Sequence, residues 1–168
     1  MKTFEFGSVK LYLILFRKVS NVKELREKLL KNELDCALIK AELIYDPIQI
    51  AIAGSKAILF IDYSKMVTKT LYTEILFNLS TSKNITQSLK TFGVNDNDEN
   101  MILAHFGDSV SLDRLIDNVS GEQVDWNQLN DIRKLDDINR CYNIKKQESI
   151  ATHTLDSILT RIATKHLD

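Results

Sequence analysis

Between Val9 and Val19 apolar side chains occupy both parities: Leu11, Leu13 and Leu15 alternate with Tyr12, Ile14 and Phe16. A strand with one face in water would carry a polar residue at every second position. This run therefore predicts a central strand covered on both faces, and with it a sheet that has packed elements on either side. The uninterrupted part, Leu11 to Phe16, is followed at once by Arg17 and Lys18. It is too short for a signal-peptide core or a membrane span, so no membrane role is expected and the chain reads as a protein of cytoplasm and nucleus.

The rest of the sheet's cover is expected to be helical. One Pro and five Gly in 168 residues are too few for a sandwich of many tight turns. Ser20 and Asn21, with Glu24 three places on, resemble a capping box ahead of Val22, Leu25, Leu29 and Leu30, predicting a helix over about 22–31. Asp46-Pro47 is the clearest helix start, since Asp caps free N–H groups and Pro at the first position forfeits no bond. The apolar segment behind it predicts a buried helix through about 57, running out into an extended Ile58 to Asp62. Further helices are expected over Thr70 to Leu79 and from Asn84 to Phe92, the latter stopped by Gly93 through a positive φ. Met101 to Phe106 reads as a strand, Leu112 to Val119 as helix or irregular segment, and Trp126 to Cys141 as one helix. Finally, Ser149 is placed to cap a helix through about 165, with Ala151, Leu155, Ile158 and Ile162 in one stripe widened by Leu159 and Ala163. The class expected is α+β: a single domain, 1–168, with a small, mainly antiparallel sheet, several helices and a C-terminal amphipathic helix.

Catalytic signatures are missing. Gly7, Gly54, Gly93, Gly107 and Gly121 are isolated, so there is no phosphate-cradling loop or dinucleotide fingerprint. His105, His153 and His166 have no metal-ligand spacing, and Cys36 and Cys141 have no CxxC partner, so neither metal nor cofactor is expected. No nucleophile motif surrounds Cys36, His105 or a serine near His153 and Asp156. Adjacent carboxylates such as Asp136-Asp137 diverge on a helix and read as solvated surface. An enzyme is not expected.

Binding remains. The net charge is −1, yet residues 1–94 hold 14 basic against 9 acidic side chains, 95–137 hold 3 against 11, and 138–168 hold 5 against 3. Such a split suits either a solvated acidic stretch or a molecule whose basic remainder faces an anionic partner. Lys65 and Lys69, with Thr68 and Thr70 ahead of a helix, are of a type that contacts phosphate, though two exposed lysines at an ordinary helix start would look the same. The C-terminal stripe fits core packing or, if exposed, a partner's groove.

The order of segments is more specific than any one of them. Asp46-Pro47-x-Gln49-Ile50, Ser55-Lys56-Ala57, Lys65-Met66-x-Thr68-Lys69-Thr70-Leu71-x-Thr73-Glu74-Ile75, Phe77-Asn78-Leu79-Ser80, Asn84-Ile85 and Lys90-x-Phe92-Gly93 together resemble the PRPK-binding protein family. This is the family of the small kinase-binding subunit of the KEOPS complex, called EKC in eukaryotes. The likeness covers nearly the whole chain and is densest over 45–93. Where many members carry Arg in the Lys-Met-x-Thr-Arg-Thr-Leu run, this chain has Lys69, a point charge in place of a bidentate guanidinium.

The resemblance implies a non-catalytic subunit that binds and promotes a small kinase-like ATPase. Through that kinase it would join a separate catalytic threonylcarbamoyl-transferase subunit, and it would support binding of ANN-decoding tRNAs, by the 3′ end, during threonylcarbamoyladenosine modification. Carried onto this sequence, it implies a kinase contact by Leu155, Ile158, Leu159 and Ile162, and a tRNA contact by Lys56, Lys65 and Lys69. A stand-alone tRNA or RNA 3′-end binder is the alternative reading.

Overall fold

The hairpin at the N-terminus supplies the edge of the sheet. In the computed structural model, which describes residues 1–151 and 153–167, β1 (Lys2–Phe6) turns at Gly7, φ +62°, into β2 (Val9–Arg17). The sheet runs β1-β2-β4-β3, with β3 spanning Ala37–Lys40 and β4 Met101–Phe106, and a short β5 (Glu122–Val124) also pairing with β2. All pairings are antiparallel. The α+β arrangement expected from the sequence is the one observed.

Register explains the double parity of β2. Leu11, Leu13 and Leu15 face Phe106, Ala104 and Ile102, and β3 adds Ala37 and Ile39 to that face. There they meet Ile50, Ala53 and Ala57 of α2 (Pro47–Asp62), Ile75 and Leu79 of α3 (Leu71–Leu79), and Phe92 at the end of α4 (Ile85–Phe92). Ile14 and Phe16 point the other way, into a second core with Leu38, Met101 and Leu103. That core is closed by Val22 and Leu25 of α1 (Val22–Leu30) and Leu112 and Leu115 of α5 (Ser109–Ile116). Fully burying one such side chain stabilises by about 1.5–3 kcal/mol, and both faces of β2 contribute.

Local details depart from expectation in instructive ways. Asn21 precedes α1 but makes no side-chain cap; its amide instead bridges the Asn118 carbonyl and the Ser120 N–H. α2 stays helical to Asp62 rather than running out into an extended Ile58 to Asp62, its last turn closed by the Tyr63 N–H donating to the Leu59 carbonyl at 3.1 Å. Gly93 has an extended φ of −74°, so its role is close approach: a Cβ there would lie 2.6 Å from the Leu89 carbonyl oxygen. The expected helix Trp126–Cys141 is broken into a 3-10 turn at Trp126–Gln128, α6 (Leu129–Ile132) and α7 (Leu135–Cys141). The single C-terminal helix is two, α8 (Lys146–Ala151) and α9 (Thr154–Thr164), with His153 at an extended ψ of 127°. The expected cap by Ser149 and the place of Ala151 in the stripe concern side chains outside the described residues.

Candidate partner-binding surface

The segment between α2 and α3 is a loop held by a buried carboxylate. Glu74, 0% exposed in the first turn of α3, accepts the backbone N–H groups of Val67 (3.2 Å) and Thr68 (2.8 Å) and the Thr68 hydroxyl (2.7 Å). A buried carboxylate is tolerated when donors surround it in this way. Thr70 and Thr73 complete a reciprocal capping box, each backbone N–H donating to the other's hydroxyl at 3.1 Å. Lys65 and Lys69 thus project from a hydrogen-bonded loop, both exposed. Glu74 stands in the family motif, but spacing alone does not show that its carboxylate turns back onto Val67 and Thr68.

Lys56 occupies a different setting. Its ammonium donates to the Ile162 and Ala163 carbonyls, at 2.5 and 3.2 Å, covering unpaired oxygens at the end of α9. Desolvation lowers its pKa from the usual lysine value. Lys165 acts in the same manner on α3: it donates to the Phe77 carbonyl and lies 3.4 Å from the Phe77 ring centroid. His166 stands edge-on to Phe60 with ring centroids 4.7 Å apart, and its Nε2 is 3.1 Å from Asn78 Oδ1. The end of α9 is therefore docked onto α2 and α3 by three basic side chains, two of which, Lys165 and His166, have no signal in a linear motif.

Docking divides the C-terminal stripe. Ile158 and Ile162 are 0% and 1% exposed and belong to the core shared with Ile50, Ile75 and Tyr142. Their apolar area is already covered within the chain, which removes them from the surface expected to meet a kinase. Leu155 and Leu159 are half-buried and keep part of their surface open. At the other, C-terminal end of α9, where His166 meets Phe60, the last turn of α2 and the loop after it expose Leu59 (49%), Ile61 (47%), Tyr63 (68%) and Val67 (47%). Tyr63 is thus an exposed aromatic side chain two residues before Lys65.

Elsewhere, the polar groups of the motif-rich segment are internal. Gln49, 0% exposed, donates to the Tyr142 hydroxyl at 2.6 Å, which in turn donates to the Leu79 carbonyl at 2.6 Å. Asn78, equally buried, donates to the Ala53 carbonyl at 3.1 Å. A cavity of about 370 Å³ between α1, β3, α3 and α4 reaches Cys36, whose thiol is pushed up to about 12 by burial. His105 donates from Nδ1 to the Asp35 carbonyl (2.8 Å), and its Nε2 meets the Ser111 hydroxyl (2.8 Å), which belongs to the capping box of α5. That cavity is not lined by His105. Among the described residues no three His, Cys, Asp or Glu side chains converge as metal ligands do.

The kinase binding protein CGI-121 family matches this chain over residues 16–166. The EKC/KEOPS complex subunit TPRKB of Danio rerio is 35% identical over 155 residues, which cover 90% of this chain and 89% of the relative. The EKC/KEOPS complex subunit CGI121 of Candida glabrata is 26% identical over 163 residues, 94% and 91% of the two chains. That of Kluyveromyces lactis is 32% identical over 99 residues, 59% and 62%. With nearly its whole length matched, the chain belongs to the CGI-121 family of kinase binding proteins.

Proposed function

We propose that this chain is a non-catalytic subunit of a KEOPS/EKC assembly that binds and promotes the activity of its small kinase-like ATPase and supports tRNA binding during threonylcarbamoyladenosine modification of ANN-decoding tRNAs. The observation that carries the kinase contact is the pair of half-buried leucines of α9, Leu155 and Leu159, whose surface stays partly open; Leu59, Ile61, Tyr63 and Val67 form a separate exposed apolar group at the end of α2. Apolar side chains left open on a surface, beside charged ones, are what a protein interface uses. The catalytic transferase subunit is then reached indirectly, through the kinase. A location in cytoplasm and nucleus goes with this reading.

The tRNA part rests on Lys65 and Lys69, exposed on the loop held by Glu74, with Tyr63 beside them to stack on an unpaired base near the 3′ end. Lys56 contributes less, since two of its three N–H donors serve α9. The same loop favours a second reading, a free-standing RNA 3′-end binder. Copurification from cells distinguishes the two: a small kinase-like ATPase and a transferase subunit recovered with the tagged chain support the assembly, whereas tRNA recovered without either supports the free-standing binder.

A further inference from the structure

β3 is an outer strand of the sheet, and its free side is only partly paired. The chain after α4 meets it there: Ile39 bridges Gly93, and the Val94 N–H donates to the Leu38 carbonyl at 3.3 Å. In a strand, the N–H and C=O of one residue point to the same side. The Leu38 N–H therefore also points away from β4. It finds no acceptor among the described residues, since the chain turns off through Asn95 to Asp98. Leu38 is 2% exposed, and a buried N–H without a partner is rare in folded proteins.

The cavity of about 370 Å³ runs beside this edge and includes Leu38 in its lining. One wall is Leu29 and Leu34, which pack on the core beneath α1; the other is Tyr72, Leu76 and Leu89 of α3 and α4. All five are only partly buried, and Leu30, 83% exposed, stands with them. Charge in the lining is one-sided. Arg26 is neutralised by Asp96, whereas Asp35 is exposed and pairs with no cation among the described residues.

A strand edge open between two apolar walls is the arrangement that takes up an extended peptide as an added strand. Main-chain groups bond the edge, and successive side chains turn to opposite walls. We propose that this cavity seats an extended segment of a partner protein, with two adjacent aliphatic residues, one for each wall, next to a basic residue that meets Asp35. A carbonyl of that segment accepts the Leu38 N–H. Leu155, Leu159, Lys65 and Lys69 do not line the cavity, so this inference goes beyond the kinase and tRNA reading and fails separately from it.

The full-length protein is titrated with blocked hexapeptides of Ser and Gly around a Val-Leu-Lys core, and the Leu38 amide resonance is followed. That resonance should move saturably. The Val-Leu-Lys core should bind at least about tenfold more tightly than a Ser-Ser-Lys core, which lacks the aliphatic side chains, and about fivefold more tightly than a Val-Leu-Glu core. Asp35→Lys, which alters an exposed residue, should keep the melting temperature and reverse the preference in favour of Val-Leu-Glu. A Leu38 amide unmoved by millimolar peptide, equal affinity for the three cores, or an unchanged preference in Asp35→Lys would each overturn the proposal. So would a short RNA ending in CCA that moves the same amide and binds more tightly than the peptide, since the occupant would then be nucleic acid.

Discussion

Thr68 donates twice to the same oxygen of Glu74, from its hydroxyl at 2.7 Å and from its backbone N–H at 2.8 Å. The pair closes the loop that carries Lys65 and Lys69 onto α3, so the geometry of exposed charge depends on a carboxylate that water does not reach.

Glu74→Gln should destabilise the chain by about 1–3 kcal/mol, because one amide oxygen replaces two acceptors and an NH₂ group is turned toward donors. Urea denaturation measures the loss. Amide exchange at Val67 and Thr68 should accelerate more than exchange in β2, which would locate the effect in the loop.

Burial separates the residues of α9. Ile158→Ala or Ile162→Ala should cost about 2–5 kcal/mol, the range for emptying a packed site. Leu155→Ala and Leu159→Ala should cost clearly less, since both keep part of their surface in water. Equal costs across the four, by denaturant unfolding, would contradict the division into core and surface.

The clasp between the last two helices should titrate in acid. Arg161 forms a forked pair with Glu148, at 2.8 and 3.0 Å, and holds that carboxyl at about 2, below its ordinary 4.5. A carboxyl with a depressed folded pKa stabilises above its ordinary value and loses that stabilisation as pH falls toward the depressed one. Wild type should therefore lose stability relative to Glu148→Gln between pH 4.5 and about 2, and the difference should be flat near neutrality.

Lys165 should act in the opposite direction at alkaline pH. Burial first, and the nearby Lys56 charge second, lower it to about 8 from the usual 10.5. Between these values the unfolded chain binds more protons than the folded one, so stability should rise with pH over that window. The rise should appear in the difference between wild type and Lys165→Met; a falling difference would show that the charged amine is favoured by the fold.

Lys65→Glu with Lys69→Glu should weaken tRNA binding at low salt while leaving the melting temperature unchanged. If each lysine neutralises one phosphate of a single strand, the slope of log affinity against log salt should flatten by about 1.4. Filter binding over a salt series measures it.

Much of this was legible in the sequence because the signals were local. The double parity of β2, the Asp46-Pro47 start of α2 and the Thr70 start of α3 each depend on neighbours within a few residues. β1, β3 and β5 were not read: they have five, four and three residues, and the partners of β3 and β5 lie elsewhere in the chain, while β1 alternates Phe4 and Phe6 with polar residues over too short a run to stand out. Segments rich in Asn and Asp around α6 and α7 kept a helical period across two breaks, so spacing alone joined them. For the surface, spacing placed Ile158 and Ile162 in the same stripe as Leu155 and Leu159, but which flank meets α2 is a tertiary fact. Likewise Gln49 and Asn78, prominent in the family motif, hold the interior together through bonds to Tyr142 and Ala53, far away in sequence, while Glu74 folds the loop six residues before it onto α3.

The most direct test of the central claim is the affinity of the purified chain for the proposed kinase-like partner, measured by calorimetry for wild type and for Leu155→Glu with Leu159→Glu. Placing charge on that partly open surface should abolish or sharply weaken kinase binding while cooperative unfolding is retained. A doubly substituted chain that still folds and binds the kinase as tightly as wild type would contradict the assignment of this face of α9 to the partner.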